Sequence, residues 1–154
     1  MFSFLNNKVP PPVVGLITLV LIWAISHFWP EPVFRHVLSP WIASLFAAIG
    51  LSMDLIAMGA FRKARTTVNP LSPQKAGRLV RSGYYRFTRN PMYLGLLMIL
   101  IGFAIYCGHW AAIFPIAGFV FYITEFQIKP EEKAMTELFG DDYLSYKKTV
   151  RRWI

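Results

Sequence analysis

The segment Gly83–Gly95 reads GYYRFTRNPMYLG and joins a basic, aromatic stretch to a long apolar one. Pro91 suits the first position of a helix, because its missing N–H is not needed there and its φ is already fixed. Asn90 suits the preceding N-cap, where a side-chain oxygen accepts from the free N–H groups of the first turn. Together with the helix dipole and the charge of Arg89, this start predicts a place for an anionic group at the membrane surface. The cap alone fits an ordinary helix start among lipid headgroups equally well.

The composition indicates a membrane protein of one domain. The chain has 154 residues, of which 55% are hydrophobic and 16% aromatic, and its mean hydropathy of +0.43 is too high for a soluble protein of this length. Its net charge of +8 comes from residues that flank apolar runs, which argues against a nucleic-acid partner. The single Cys107 and the widely spaced His27, His36 and His109 predict no metal site.

Apolar segments long enough to cross about 30 Å of hydrocarbon recur along the chain. They cover about residues 12–29, 40–61, 91–107 and 110–128. The predicted fold class is therefore all-α, an integral membrane bundle of four transmembrane helices within the single domain 1–154. A loop at 62–90 and a tail at 129–154 that forms amphipathic helices complete this prediction.

The distribution of Lys and Arg predicts the orientation. Four spans place 15 of these residues on one side, with Arg35 alone on the other. By the positive-inside rule the 15 are cytoplasmic, as are both termini. We therefore expect a multi-pass protein of a bacterial inner membrane, with the loop and the tail facing the cytoplasm.

Asp54 lies well inside the second apolar segment. Steps of three and four residues put it on one face with small residues that allow close helix packing, namely Ala43, Ala47, Gly50 and Ala57. A carboxylate at this depth requires a partner or a polar cavity. The preferred interpretation is a hydrogen bond to a neighbouring helix, and the other is the wall of a cavity that holds a cationic cofactor or substrate. Near the end of the fourth segment, Glu125 and Lys129 have the spacing of a helix-surface ion pair.

The tail predicts two further helices. One starts at Pro130-Glu131-Glu132, with proline and acids in its first turn, and Gly140 separates it from the next. The last dozen residues are expected to lie on anionic lipid through an apolar stripe of Tyr143, Tyr146, Val150 and Trp153.

Two blocks of sequence resemble the isoprenylcysteine carboxyl methyltransferases and the related phospholipid N-methyltransferases. The first block reads LVRSGYYR at 79–86 and RNPMYLG at 89–95, and the second combines PEE at 130–132 with LFG at 138–140 and the tyrosines that follow. The resemblance covers about residues 66–152. It implies a small polytopic enzyme that uses S-adenosylmethionine.

The resemblance also implies site residues. It assigns cofactor binding to Arg78, Leu79, Val80, Tyr85, Asn90, Pro91, Met92, Tyr93 and Glu131. Catalysis is expected from Arg89, Asn90 and Glu131, and substrate contacts from Gln127, Lys129 and Asp54. Glu132 would support the cofactor or be only a surface acid at the helix start. Eukaryotic members commonly have His in place of Asn90, and Gln127 stands where they place an arginine near the substrate carboxylate.

The function expected from this resemblance is methyl transfer to a lipid-like acceptor at the cytoplasmic face of the bilayer. Carboxylate O-methylation of a prenylcysteine type is slightly favoured over N-methylation of a phospholipid amine. A nicotinamide-dependent membrane reductase and a non-catalytic scaffold are the alternatives. The sequence contains no Gly-x-Gly-x-x-Gly turn after a strand, so a soluble Rossmann-type methyltransferase is excluded.

Overall fold

The protein is all-helical in the computed structural model, which describes residues 6, 8–29, 34, 36–64 and 77–154. Within these residues the extended backbone pairs only once, in a bridge between Thr88 and Arg151. The α-helices are α1 Pro11–Phe28, α2 Ser39–Ala64, α3 Pro91–Cys107, α4 Ile113–Ile123, α5 Lys129–Phe139 and α6 Asp141–Thr149. A π-helical segment, Thr124–Ile128, joins α4 to α5, and short 3₁₀ helices occupy Gly83–Arg86 and Trp110–Ala112. Of the loop predicted at 62–90, residues 65–76 lie outside the described residues.

Three helical runs are long and apolar enough to cross a membrane. They are Pro11–Phe28, Ser39–Ala64 and the continuous run Trp110–Phe139, while the equally apolar α3 has 17 residues and spans about 25 Å. The last run does not stop at residue 128 as the sequence predicted. At 30 residues it is about 45 Å long, which exceeds the hydrocarbon by roughly 15 Å. Its charged final third, α5, therefore extends beyond the apolar part.

Gly108 and His109 form the tight hairpin that joins α3 to the run Trp110–Phe139. Gly108 takes a positive φ of 68° at the end of α3, a conformation that glycine adopts without steric cost. The next residue, His109, accepts a hydrogen bond from the Ala111 N–H through its Nδ1 and so caps the 3₁₀ turn at Trp110. The chain therefore reverses within a few residues, and α4 lies antiparallel to α3.

Helices α2 and α3 pack closely because glycines face each other. A Cβ on Gly95 would lie 2.7 Å from the Gly50 carbonyl oxygen, and one on Gly102 would lie 2.8 Å from the Ala43 carbonyl oxygen. The small-residue face predicted for α2 is therefore the face that contacts α3. A hydrophobic cluster joins α1, α3 and the run Trp110–Phe139. Its buried members are Val14, Tyr93, Leu100, Phe119, Ile123 and Ile128.

The tail packs onto the protein. Tyr143, Tyr146 and Val150 are buried against Leu79, Met135 and Phe139, and the Trp153 indole donates to Thr124 Oγ1 at 3.2 Å. The stripe that we expected to lie on anionic lipid is therefore directed inward.

Candidate functional site

The first turns of α3 and α5 meet through one hydrogen bond. The Tyr93 hydroxyl donates to Glu131 Oε1 at 2.5 Å, and the Tyr93 ring is buried in the cluster between α1, α3 and α4. A proline starts each of these helical turns, Pro91 in α3 and Pro130 in α5. The structure thus brings together two residues that the sequence assigned to one site from positions 38 apart.

Burial raises the pKa of Glu131 from 4.5 to about 7; the Tyr93 hydrogen bond opposes this, and the nearby Glu132 charge adds to it. Burial also raises the pKa of Tyr85, and the neighbouring Tyr146, Glu131 and Asp54 raise it further. Tyr85 therefore lies close enough to Glu131 and Asp54 for their charges to act on its hydroxyl. Perturbed groups of this kind concentrate at functional sites.

Glu132 lies at the centre of a buried ion cluster. Arg89 Nη2 lies 2.7 Å from its Oε1, and Arg152 binds both oxygens, through Nε at 2.9 Å and Nη2 at 2.8 Å. Lys147 Nζ is 3.7 Å from Oε2. The side chains of Arg89 and Glu132 are each only 8% exposed. Glu132 is therefore not a surface acid, and it binds the loop before α3 to the end of the chain.

Arg89 has a different role from the one predicted. Besides the Glu132 pair, its Nη1 donates to the carbonyl oxygens of Val150 at 2.5 Å and Lys147 at 3.3 Å. These internal partners hold the guanidinium inside the protein, so its charge is not presented to an anion at the membrane surface. The prediction counted the charge of Arg89 without the acid that pairs with it, and a catalytic role for Arg89 stays a prediction.

The cluster also sets the pKa of Glu132. Burial alone would raise the pKa of this carboxyl, but hydrogen bonds and charges from Arg152 and Arg89 outweigh it and lower the pKa from 4.5 to about 2. Glu132 therefore remains ionised at any ordinary pH. The interaction raises the pKa of Arg152 in turn.

Asn90 occupies the N-cap position of α3 but does not cap the helix. Its side chain makes no hydrogen bond to the first turn, and its Nδ2 instead donates to the Arg152 carbonyl oxygen at 2.9 Å. The Asn90 backbone N–H donates to Thr88 Oγ1 at 3.1 Å. The predicted side-chain cap is therefore absent, because a distant backbone segment takes up the amide. Pro91 occupies the first position of α3 as predicted.

The loop residues assigned to the cofactor divide between two clusters. Val80 and Tyr85 are buried against Ala57, and Met92 packs on the same cluster. Leu79 instead packs on the buried tail residues. The Tyr85 carbonyl accepts from the Tyr146 hydroxyl at 2.6 Å, which links the two clusters. Arg78 lies at the surface.

Asp54 faces α3 at the glycine contact. A Cβ on Gly95 would lie 2.5 Å from Asp54 Oδ1, so the carboxylate occupies the space that a side chain there would fill. Oδ1 is buried and accepts no hydrogen bond from any residue that the structure describes. Within the described residues, Oδ1 therefore does not form the hydrogen bond to a neighbouring helix that was our preferred interpretation. Tertiary packing brings Asp54 against the backbone of α3, where no donor is free.

Gln127 and Lys129, the two remaining substrate predictions, do not come together. Gln127 is fully buried in the π-helical segment, where its Nε2 donates to the Val9 carbonyl at 2.8 Å and its Oε1 has no partner among the described residues. Lys129 is half exposed and pairs with Glu125, so the predicted i, i+4 ion pair is confirmed. Nothing in the sequence signalled the π-helical turn, although such turns are frequent at functional sites.

An open crevice lies between α2 and the end of the loop before α3. It has a volume of about 310 Å³ and is lined by Ile56, Gly83, Tyr84, Arg86 and Phe87. Ile56 and Phe87 expose large apolar surfaces there. No local pattern predicted this crevice, because it forms only where α2 passes the 3₁₀ turn at Gly83–Arg86. In the described parts of the chain no three His, Cys, Asp or Glu side chains group as metal ligands.

The chain is similar in sequence to one uncharacterized protein and to two methyltransferases. An uncharacterized protein of Haemophilus influenzae is 41% identical over 63 residues, which cover 41% of this chain and all of that protein. The protein-S-isoprenylcysteine O-methyltransferases of rat and mouse are 26% and 25% identical over 154 residues, which cover 95% of this chain and 51% of theirs. The chain thus spans about half the length of those two enzymes. No solved structure is significantly similar.

A family profile described as phospholipid methyltransferase matches residues 38–142, from the start of α2 into α6. This range contains the α2–α3 glycine contact, the Tyr93–Glu131 hydrogen bond and the Arg89–Glu132 ion pair. By that match the chain belongs to the phospholipid methyltransferase family.

Proposed function

We propose that this protein transfers a methyl group from S-adenosylmethionine to a lipid-like acceptor at the cytoplasmic face of the membrane. As a member of the family with three long apolar helices, the chain is an integral membrane protein. The proposed topology counts α3 as a fourth span and puts both termini, the loop and the tail in the cytoplasm, following the bias of Lys and Arg. The observation that carries the proposal is the Tyr93–Glu131 hydrogen bond beside the uncapped start of α3.

The residues at this junction fit the charges of S-adenosylmethionine. The start of α3 has no side-chain cap, so its first N–H groups and helix dipole suit a carboxylate. Glu131 suits a positive group of the same molecule. Val80, Tyr85 and Met92 supply apolar and aromatic surface nearby for its adenosine end. When bound, the cofactor supplies an activated methyl group.

The chain's own contribution is then mainly orientation. Tyr93 fixes the Glu131 carboxylate through its hydroxyl, and Glu132 fixes the adjoining loop through Arg89. Holding reacting groups in place can supply several kcal/mol, up to roughly 7–11 in the best cases. Arg89 is thereby proposed to act on catalysis only through the placement of its neighbour Asn90, whose side-chain oxygen is not used by the helix.

The acceptor is proposed to reach the site from the bilayer. The crevice beside Ile56 and Phe87 offers an apolar path between α2 and the 3₁₀ turn at Gly83–Arg86. A prenylcysteine-type carboxylate needs no general base, and it remains slightly favoured. Lys129, half exposed, is the positive charge proposed to attract it, with Gln127 behind it in the π-helical turn.

One observation favours a second acceptor, the amine of a phospholipid. Asp54 Oδ1 is buried without a hydrogen-bond partner in the part of the chain that the structure describes. An amine nucleophile has to lose a proton before it is methylated, and an unpaired carboxylate is a suitable group to receive it. N-methylation is therefore the second candidate, with Asp54 in contact with the acceptor.

The test is transfer of labelled methyl from S-adenosylmethionine to prenylcysteines, phosphatidylethanolamine and native membrane extract. In parallel, S-adenosylhomocysteine should raise the melting temperature of the purified protein, and NADPH should not. A ligand at 100 times its Kd adds about 2.7 kcal/mol to the free energy of unfolding. Stabilisation by NADPH alone would favour the membrane reductase, and no response to either ligand together with no methyl transfer would favour the scaffold.

A further inference from the structure

Arg152 connects the tail to the start of α3 at both of its ends. Its guanidinium binds Glu132 through two hydrogen bonds, at 2.9 Å and 2.8 Å, in the fork geometry that arginine forms with carboxylates. Its carbonyl oxygen accepts from Asn90 Nδ2 at 2.9 Å and from the Thr88 hydroxyl at 3.2 Å. The same residue is thus anchored to α5 and holds the residue that precedes α3.

The position of Arg152 is fixed from several directions. The neighbouring Arg151 carbonyl accepts from the Arg89 N–H at 3.0 Å, and Thr88 and Arg151 form a parallel bridge. On the other side, Trp153 donates to Thr124. Glu132 is 6% exposed and ionised, so it anchors the guanidinium firmly. The carbonyl of Arg152 therefore remains opposite Asn90.

This contact competes with a helix cap. Asparagine is among the best N-cap residues, and a capping side chain would occupy the N–H groups of the second or third residue of α3, Met92 or Tyr93. Those N–H groups are also the donors that an anionic ligand would use at this helix end. With its amide held by Arg152, Asn90 leaves them uncapped. A freed Asn90 would cover them.

We infer that Arg152 is a positioning residue, which keeps the start of α3 open for a carboxylate by preventing Asn90 from capping the helix. The inference rests on the proposed function for the identity of the ligand. The competition itself is a property of the protein alone. Arg152 touches neither cofactor nor acceptor and acts through Asn90.

The test compares Arg152→Gln and Arg152→Lys with the control Arg151→Gln, whose side chain is exposed. Hydrogen exchange of peptides that contain Met92 and Tyr93 is measured without ligand. Arg152→Gln keeps the backbone carbonyl and loses the guanidinium that anchors it, so we expect exchange at these amides to slow by up to about fivefold, the value for one complete side-chain cap, and Arg152→Lys to have a smaller effect. Affinity for S-adenosylhomocysteine should fall by a similar factor in Arg152→Gln, because the ligand has to displace the cap. Arg151→Gln should change neither quantity.

Two outcomes separate this inference from the proposed function. Exchange at Met92 and Tyr93 that is unchanged or faster in Arg152→Gln overturns the positioning role, whatever the ligand result. If exchange is slower in Arg152→Gln but the wild-type protein does not respond to S-adenosylhomocysteine, the proposed cofactor is refuted. The positioning role of Arg152 then remains. If Arg152→Gln does not fold, Arg152→Lys decides in the same way, because it retains the charge and loses the two-pronged contact.

Discussion

Tyr93 and Glu131, which lie 38 positions apart, join the first turn of α3 to the first turn of α5 through a 2.5 Å hydrogen bond. Tyr93 belongs to the apolar helix α3 and Glu131 to the polar extension of the last long run. A bond between these two elements lets the apolar bundle and the polar tail contribute to one site. A hydrogen bond to a charged group contributes on the order of 1.5–3 kcal/mol, enough to fix their relative position.

Tyr93→Phe and Glu131→Gln should therefore lose ligand stabilisation while the protein still folds. Tyr93→Phe removes the donor and Glu131→Gln replaces the carboxylate acceptor by a neutral amide, so we expect the rise in melting temperature with S-adenosylhomocysteine to fall to near zero. Thermal unfolding in detergent, with and without the ligand, measures it. Tyr122→Phe is the matched control, because the Tyr122 hydroxyl is buried without a partner among the described residues. Full ligand stabilisation in both site variants would refute the assignment.

The ion cluster predicts a dependence of stability on acid. The pKa of Glu132 is about 2 in the folded protein and 4.5 ordinarily, so its stabilisation is complete above pH 4.5 and is lost as pH falls toward 2. At 1.36 kcal/mol for each pKa unit, the contribution is on the order of 3 kcal/mol. Urea unfolding of wild type and Glu132→Gln between pH 6 and pH 3 measures the difference, which should shrink with falling pH. Glu137→Gln, at an exposed ion pair, should follow the wild type.

The glycine contact predicts a steric effect. Gly95→Ala places a methyl group 2.7 Å from the Gly50 carbonyl oxygen and 2.5 Å from Asp54 Oδ1, so α2 and α3 have to move apart. Overpacking of this kind typically costs about 1–3 kcal/mol. Gly59→Ala on α2 and Gly118→Ala on α4 are controls, since an added Cβ meets nothing within 4 Å at either. The melting temperature should fall only in Gly95→Ala, and equal values in all three would contradict the packing.

Asp54→Asn should lower turnover with an amine acceptor without lowering the melting temperature. Removal of an unpaired, partly buried carboxylate should leave the melting temperature unchanged or raise it, because no hydrogen bond from a described residue is lost. If Asp54 contacts the acceptor amine, turnover with that acceptor should fall at least tenfold while the affinity for S-adenosylhomocysteine persists. The measurement is methyl transfer to the amine and carboxylate acceptors side by side. Unchanged turnover with the amine would remove Asp54 from the site.

Local chemistry was predictable from the sequence where it depended on neighbours in the chain. The proline start of α3, the tight turn after Cys107 and the Glu125–Lys129 pair all follow from spacings of a few residues. The small-residue face of α2 was predictable too, because helical periodicity places it on one side. The all-α class followed from the same patterns.

Long-range competition for polar groups was not predictable. The sequence predicted that Asn90 caps α3 and that Arg89 faces an anion, since both are the local preference of those residues. In the structure, groups about 60 positions later take both side chains: the Arg152 carbonyl binds Asn90, and the Val150 carbonyl binds Arg89. The buried face of the tail has the same cause. An amphipathic pattern states which side is apolar but not whether lipid or protein covers it.

The run Trp110–Phe139 also has a mechanical consequence. Because this helical run is about 45 Å long and begins in the apolar bundle, its length and tilt determine how far Glu131 lies from the hydrocarbon surface. In a thinner or thicker bilayer the run changes its tilt, at a cost of fractions of a kcal/mol per ångström of mismatch. A change of tilt would act on the Tyr93–Glu131 hydrogen bond, so we expect acyl-chain length to affect the proposed methyl transfer.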